Sequence, residues 1–419
     1  MEVERLKKLL LSQTIKDTLI SFLGLGFSAA VGFVYTVILA RVLGPEKFGV
    51  FSAVVALIAI VYSLGDLGIA SAIINFIPKL KDLRQTIIST SYWFEIIVSV
   101  FILVLFAIFG IFHQAIIPGS LLPQVLIAGV LAVNYLFISY VQSIFTAERH
   151  FLSYSFTQII DAGAKIIIVF ILLSLSRLTI ETALLANVIS TIFALLITFG
   201  KEFLRIKPSY NKEIFEKLFH FAKWIAVTRI FSVFISRIDI ILLNLLSSSF
   251  QAGIFAAANR ITLLFSLLVS SLGAVINPRF SGFDNKEKVI SYIKKLLGLI
   301  SLITGFMLLS ALLAKPIINL VFGDKFVSAV PVFQALTIAM IPFIFSMATT
   351  SALIYTYNQA KFIARLTAFQ VISMVVMEII LIPSLGSFAP PIALGVTNTV
   401  VLIITGIKLY RLLTKNEEK

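Results

Sequence analysis

The sequence predicts an all-α integral membrane protein, with about twelve transmembrane helices in two pseudo-symmetric six-helix bundles around a central cleft. Three observations predict it. The 419-residue chain is 59% hydrophobic and only 13% charged, with a mean hydropathy of +1.05, more apolar than a soluble domain of this size keeps in water. Its apolar runs reach the roughly 20 residues needed to cross about 30 Å of hydrocarbon as a helix. One motif also recurs at about half the chain length.

Taken in order, the apolar runs Leu19–Ala40, Val50–Ile77, Ile96–Phe112 and Val125–Phe145 are followed by spans near 155–175, 181–200, 221–246, 252–276, 290–314, 330–357, 363–383 and 388–410. None alternates apolar and polar residues as membrane-barrel strands do, so all read as helices. The charged start "MEVERLKKLL" continues into the first span and reads as an uncleaved first helix instead of a signal peptide. On that helix Gly24, Ser28 and Gly32 form a small-residue ridge suited to close packing.

The repeat pairs "LGPEKFGVFSAVVAL" (Leu43 to Leu57) with "LSSSFQAGIFAAANRI" (Leu246 to Ile261). Each leaves the first span of its half, makes a short polar turn, and enters the next helix through Gly, an aliphatic residue and Phe. Matching Gly49 with Gly253 sets the halves 204 residues apart. The expected organisation is an N-terminal bundle (1–206), a basic amphipathic cytoplasmic linker (207–222) and a C-terminal bundle (223–419). Within the linker, "FEKLFHFAKW" reads as an interfacial helix with Phe and Leu toward lipid. Parallel repeats of this kind suit transport by alternating access.

Orientation follows from charge. Of the 34 Lys and Arg residues, 25 fall in the termini and in every second connection, including "KEFLRIKPSYNKEIFEKLFHFAK" and the stretch Arg279 to Lys295. The opposite connections hold five, Arg41, Lys47, Arg177, Lys315 and Lys325. Basic residues resist translocation, so both termini are expected in the cytoplasm. This asymmetry, reinforced by anionic lipid, accounts for most of the net charge of +14 without nucleic acid.

Other chemistry is excluded quickly. The absence of cysteine removes disulfides, thiolate metal sites and a cysteine nucleophile. The three histidines lack neighbours at metal spacing, and no phosphate-binding loop of the nucleotide-hydrolysing type occurs, so no cofactor or metal is expected. Short outer connections such as "HQAIIPGSLLPQ" leave a membrane-embedded glycan polymerase or ligase little room for catalytic groups, so the chain does not read as an enzyme.

Polar residues inside the spans are the candidate site, because a charge costs about 2.5–3.5 kcal/mol at a helix centre. They are Asp66, Glu95, Asp161, Lys165, Arg229, Arg237, Asp239, Arg260 and Glu378, with Asn134, Gln142, Gln158, Asn244 and Asn259 beside them. On a wheel of about 100° per residue, Arg229, Ser232, Ser236, Arg237, Asp239 and Asn244 share an arc of about 160°. That stripe suits the wall of a wet cavity better than an isolated ion pair. Asp161 and Lys165 are four apart, which fits either mutual neutralisation or a transport role. Glu95, beside Tyr92 and Trp93, reads as an aromatic-belt residue near the cytoplasmic interface. The glycines around Asp66 permit a local helix break, and Glu378 fits either a partner inside the bundle or ion coupling.

"LARVLGPEKFGVFSAVVALIAIVYSLGDLGIASAIINFIPKL", "SRIDIILLNLLSSSFQAGIFAAANRI" and "LVFGDKFVSAVPV" together resemble the polysaccharide-biosynthesis flippases of O-antigen type, within the multidrug/oligosaccharidyl-lipid/polysaccharide exporter superfamily. The resemblance covers essentially the whole chain. It implies movement of a lipid-(pyro)phosphate-linked oligosaccharide from the cytoplasmic to the outer leaflet of the cell membrane, with membrane lipids, H+ or Na+ as coupling ion, and glycan polymerase or other assembly proteins as partners. It also implies anion contact by Arg229, Arg237 and Arg260, with Lys165, Asn244 and Asn259 as further substrate contacts. Asp239, Asp66, Asp161 and Glu378 would then serve ion coupling or charge pairing. A multidrug and toxin extrusion antiporter is the alternative, and would be expected to rely on acidic residues.

Overall fold

A computed structural model describes residues 13–203, 206, 209–283 and 285–414. The basic residues up to Lys8, those from Lys415 onward, and positions 207–208 of the expected linker lie outside them. The described residues are almost wholly helical. The main helices are α1 (Gln13–Asp66), α2 (Ile69–Phe76), α3 (Arg84–Ile111), α4 (His113–Ile116), α5 (Leu122–Ala147), α6 (Phe151–Ser174), α7 (Ile180–Phe203), α8 (Lys212–Leu246), α9 (Ser249–Ser281), α10 (Lys286–Leu312), α11 (Ala314–Phe322), α12 (Ala329–Ser351), α13 (Ala360–Leu385) and α14 (Ala389–Thr414). Among the described residues, eight helical stretches are long and apolar enough to cross a membrane. Two of them, Ile20–Asp66 and Ala360–Thr414, run to 47 and 55 residues, about twice one crossing.

Each of these long stretches is broken where backbone chemistry demands. In α1 the break is Gly44, at φ 72° and ψ 171°, followed by Pro45. Proline bars its predecessor from helical angles, and only glycine takes that positive φ without strain. In the second stretch Gly386, at φ 52°, separates α13 from α14.

The chain forms two compact units. The first comprises Met1–Leu43 and Val50–Ile238; the second comprises Gly44–Gly49 and Asp239–Lys419. In the first, α5 packs on α3 and α7, and α6 packs on α7. In the second, α12 packs on α10 and α14, and α13 packs on α14. The same three pairings thus recur in each unit. Each also uses an asparagine as a tie: Asn134 Nδ2 donates from α5 to the α7 carbonyl of Val188 (3.2 Å), and Asn398 Nδ2 donates from α14 to the α12 carbonyl of Ala339 (3.0 Å).

The start of α8 is amphipathic, but its apolar face meets protein. Ile214, Leu218 and Ala222 are buried in a core with Ile73, Ile88, Tyr140 and Phe199, while Lys217 and His220 stay exposed. Leu218 therefore does not face lipid, because the core formed by α2, α3, α5 and α7 offers it a closer apolar partner. Gly24 meets the expectation of tight packing, since a Cβ there would lie 2.5 Å from that of Ser155.

The glycines matched by the repeat touch each other within the second unit. A Cβ on Gly49 would lie 1.8 Å from the Ser249 carbonyl oxygen, and one on Gly253 would lie 1.9 Å from the Pro45 carbonyl oxygen. Backbone cannot yield as a flexible side chain does. Gly49→Ala and Gly253→Ala are each expected to destabilise the protein by about 1–3 kcal/mol. Thermal unfolding in detergent checks this against Gly26→Ala, where a Cβ meets nothing within 4 Å.

Candidate functional site

The first unit gathers charge at the end of α1. There the chain passes through two left-handed residues, Leu67 (φ 41°) and Gly68 (φ 79°), before α2 begins. Gly68 lies against the backbone of α8, where a Cβ would come within 2.6 Å of the Ala222 carbonyl oxygen. Leu67 has no such licence for a positive φ, so its conformation is imposed by its surroundings. The break that the glycines permitted is therefore formed. It holds Asp66 with Oδ1 accepting from the Ala70 N–H (3.2 Å) and Oδ2 accepting from Arg229 Nη1. The Asp66 side chain is 2% exposed and that of Arg229 is 43%, so a buried carboxylate is neutralised by a guanidinium still open to its surroundings.

A second cluster lies on α6 and α7. Lys165 Nζ donates to Asp161 Oδ2 (3.0 Å), and Ser190 Oγ donates to Asp161 Oδ1 (2.7 Å). The Lys165 ammonium also lies 6.0 Å from the centre of the Tyr35 ring, within cation–π range. Asn187 Nδ2 donates to the Tyr35 hydroxyl, and the Tyr135 hydroxyl donates to Asn187 Oδ1 (3.4 Å). Tyr135 in turn packs on Tyr62, with ring centres 5.7 Å apart. Tyr62 lies close enough to Arg229, Arg237 and Asp66 to feel their charges. Tyrosines thus link the Lys165 cluster to the Arg229 cluster within one unit.

In the second unit Asp239 of α8 and Glu378 of α13 face each other within hydrogen-bonding reach. Glu378 is fully buried, and among the described residues neither of its oxygens, nor Asp239 Oδ1, has a hydrogen-bond donor. Two carboxylates supply no donor between them, so the pair is satisfied only by a shared proton or a bound cation. Asn259 and Arg260 are half-buried on α9. Asn244 is 2% exposed, and its Nδ2 donates to Ser249 Oγ (2.9 Å), which ties the turn between α8 and α9.

The structure therefore brings together Asp66 with Arg229, Asp161 with Lys165, and Asp239 with Glu378. Sequence reasoning missed Tyr35, Tyr62, Tyr135, Asn187 and Ser190. The spacing of Asn187, Ser190 and Thr191, three and four apart in "LLANVISTIFALL", was a signal that α7 has a polar face.

Asp66 and Arg229 differ in burial, so their substitutions are expected to act unequally. Arg229→Met leaves a buried carboxylate short of its cation and should cost about 1–3 kcal/mol. Asp66→Asn leaves a half-exposed guanidinium and should cost less. The double variant should recover much of the Arg229→Met loss in a double-mutant cycle of thermal unfolding.

Comparison with known proteins follows the same lines. The profile of the polysaccharide biosynthesis protein family matches residues 38–331. A Shigella flexneri protein named as a candidate O-antigen transporter is 26% identical, over 78% of this chain and 78% of its own. The lipid II flippase MurJ, in an inward closed conformation, superposes with a TM-score of 0.72 at 16% identity, over 95% of this chain and 90% of that one. An inward-facing multidrug resistance MATE family transporter of the MOP superfamily superposes with a TM-score of 0.71 at 18% identity, over 95% and 99%. At these identities the structural likenesses establish the fold. The family profile spans well over half of the sequence, so the chain belongs to the polysaccharide biosynthesis protein family, built on the helical fold of MOP superfamily transporters.

Proposed function

We propose that the protein is a flippase that moves a lipid-(pyro)phosphate-linked oligosaccharide from the cytoplasmic to the outer leaflet by alternating access, for surface polysaccharide assembly. The observation that carries this reading is the run of cations and tyrosines in the first unit: Lys165 with Tyr35 and Tyr135, and Arg229 and Arg237 beside Tyr62, which packs on Tyr135. Phosphate oxygens accept from guanidinium forks and from an ammonium. Sugar rings present C–H faces that pack on aromatic rings, and their hydroxyls exchange hydrogen bonds with phenols. Both halves of such a headgroup are too polar for hydrocarbon, whereas a prenyl tail is at home in it.

In this reading Lys165, Arg229, Arg237, Arg260 and Asn259 contact the headgroup. Asp66 and Asp161 hold their cations in place until the substrate anion competes for them. The Asp239–Glu378 pair takes the coupling ion, H+ or Na+. The chain crosses the cytoplasmic membrane twelve times, in bundles 1–206 and 223–419 joined through 207–222, with both termini on the basic, cytoplasmic side. The product, delivered outside, passes to glycan polymerase or other assembly proteins. The shared fold and the named relative support this reading.

Reconstitution into vesicles with a lipid-pyrophosphate oligosaccharide, scored by access of an outside probe to the sugar, tests it. Lys165→Ala, Arg229→Ala and Arg237→Ala are each expected to slow translocation by roughly tenfold or more, since a hydrogen bond to a charged group is worth about 1.5–3 kcal/mol. Unchanged translocation in all three, singly and combined, would reject the assignment. Extrusion of organic cations with no movement of glycolipid would favour an antiporter instead.

A further inference from the structure

Glu95 takes part in none of the contacts described above. It lies on α3 about 16 Å of helix rise beyond Arg84, fully buried, with no hydrogen-bond partner for either carboxylate oxygen among the described residues. It is therefore not the interfacial residue that its neighbours Tyr92 and Trp93 imply. Ser91, one turn back on the side toward which helical side chains lean, is also buried, with its hydroxyl oxygen unpartnered among the described residues. An ionised carboxylate in that setting has neither donor nor counter-charge, the costliest way to bury a polar group. A proton removes the charge.

The surroundings supply no cation for Glu95 among the described residues. Asp66 and Tyr140 are near enough to interact with it. Asp66 is an acid already engaged by Arg229, and the Tyr140 hydroxyl donates to the Ile88 carbonyl oxygen (2.9 Å). On α3 itself the neighbouring titratable side chain is Tyr92, and α2, packed alongside, has no ionisable side chain. Lys81 and Asp82 before α3 and His113 after it lie about three or more turns away along the helix. Glu148, just past the end of α5, is bound by Arg84. Where Phe94 and Tyr92 touch Phe215 and Phe203, the nearby charges are Glu202 and four residues that form ion pairs with one another, Lys217 with Glu213 (2.8 Å) and Lys212 with Glu216 (3.9 Å).

We propose that Glu95 is a proton-binding site through which ambient pH sets the conformational balance of the first unit. Protonated, it is buried as described here. Ionised, it requires a conformation that brings water to it. The proton is then a ligand of the buried form, so acid favours that form and alkali favours the hydrated one. No substrate enters this inference, and it stands or falls separately from the flippase reading.

Two measurements on the full chain in lipid vesicles test it, and neither uses glycolipid. Dicyclohexylcarbodiimide reacts with protonated carboxyl groups in apolar surroundings. It is expected to modify Glu95, located by peptide mass mapping, with modification declining as pH rises. The chain has no cysteine, so Ser91→Cys provides a single reporter. Its labelling by a water-soluble maleimide is expected to increase with pH beyond the rise due to the thiol's own ionisation, calibrated on an exposed single cysteine, and Glu95→Gln should abolish that excess. An unmodified Glu95, or an excess that persists in Glu95→Gln, would overturn the proposal. So would a response to sodium at constant pH with none to pH. If the double variant fails to fold, the carbodiimide result on the unsubstituted chain decides.

Discussion

A charge inside an apolar helical bundle persists only with a counter-charge, a proton or access to water, and both units are organised around that constraint. Asp66 meets it by reaching Arg229 across 163 residues of sequence. Asp161 meets it locally, with Lys165 one turn along its own helix and Ser190 from the neighbouring one. Asp239 and Glu378 meet it as two acids facing each other, which need a shared proton or a bound cation between them. The three solutions differ in what can disturb them. An anion competes for Arg229 or Lys165, whereas a cation or proton competes at the acid pair. In the proposed flippase, substrate and coupling ion would therefore act on different clusters.

The backbone carries the same division of labour. Most of each helix satisfies its own hydrogen bonds, as a helix that crosses hydrocarbon must. The departures are few, and one of them sits at the most elaborate cluster. Leu67 and Gly68 turn the chain just after Asp66, and Gly68 allows α8 to approach closely enough for Arg229 to reach that carboxylate. Position of charge and position of strain coincide there, as they do where a conformation is held by its surroundings.

What could be read from the sequence depended on how far apart the interacting residues lie. Helical spans follow from local hydropathy, and the Asp161–Lys165 pair follows from a four-residue spacing, so both were legible. The glycine match between positions 49 and 253 was legible because a repeat declares itself at any distance. Asp66 with Arg229 and Asp239 with Glu378 were not, since each residue looks like an isolated polar group until helices distant in sequence pack together. Glu95 misled for the opposite reason. Its aromatic neighbours in sequence suggested an interface, but Tyr92 packs against Phe137, Tyr140 and Phe203 inside the bundle. The tyrosines were passed over because one aromatic residue among so many apolar ones carries no periodic signal.

The crossing of Gly49 and Gly253 has a further property. With no Cβ on either residue, a Cα hydrogen of each is left pointing at a carbonyl oxygen of the facing turn, Ser249 for one and Pro45 for the other. Such C–H···O contacts are weak individually, but they need neither a side chain nor a desolvated charge. A junction built from them is nearly indifferent to whether water, headgroups or hydrocarbon surrounds it. It can therefore keep its geometry at a bilayer boundary, where a salt bridge would strengthen or fade with each change in local dielectric.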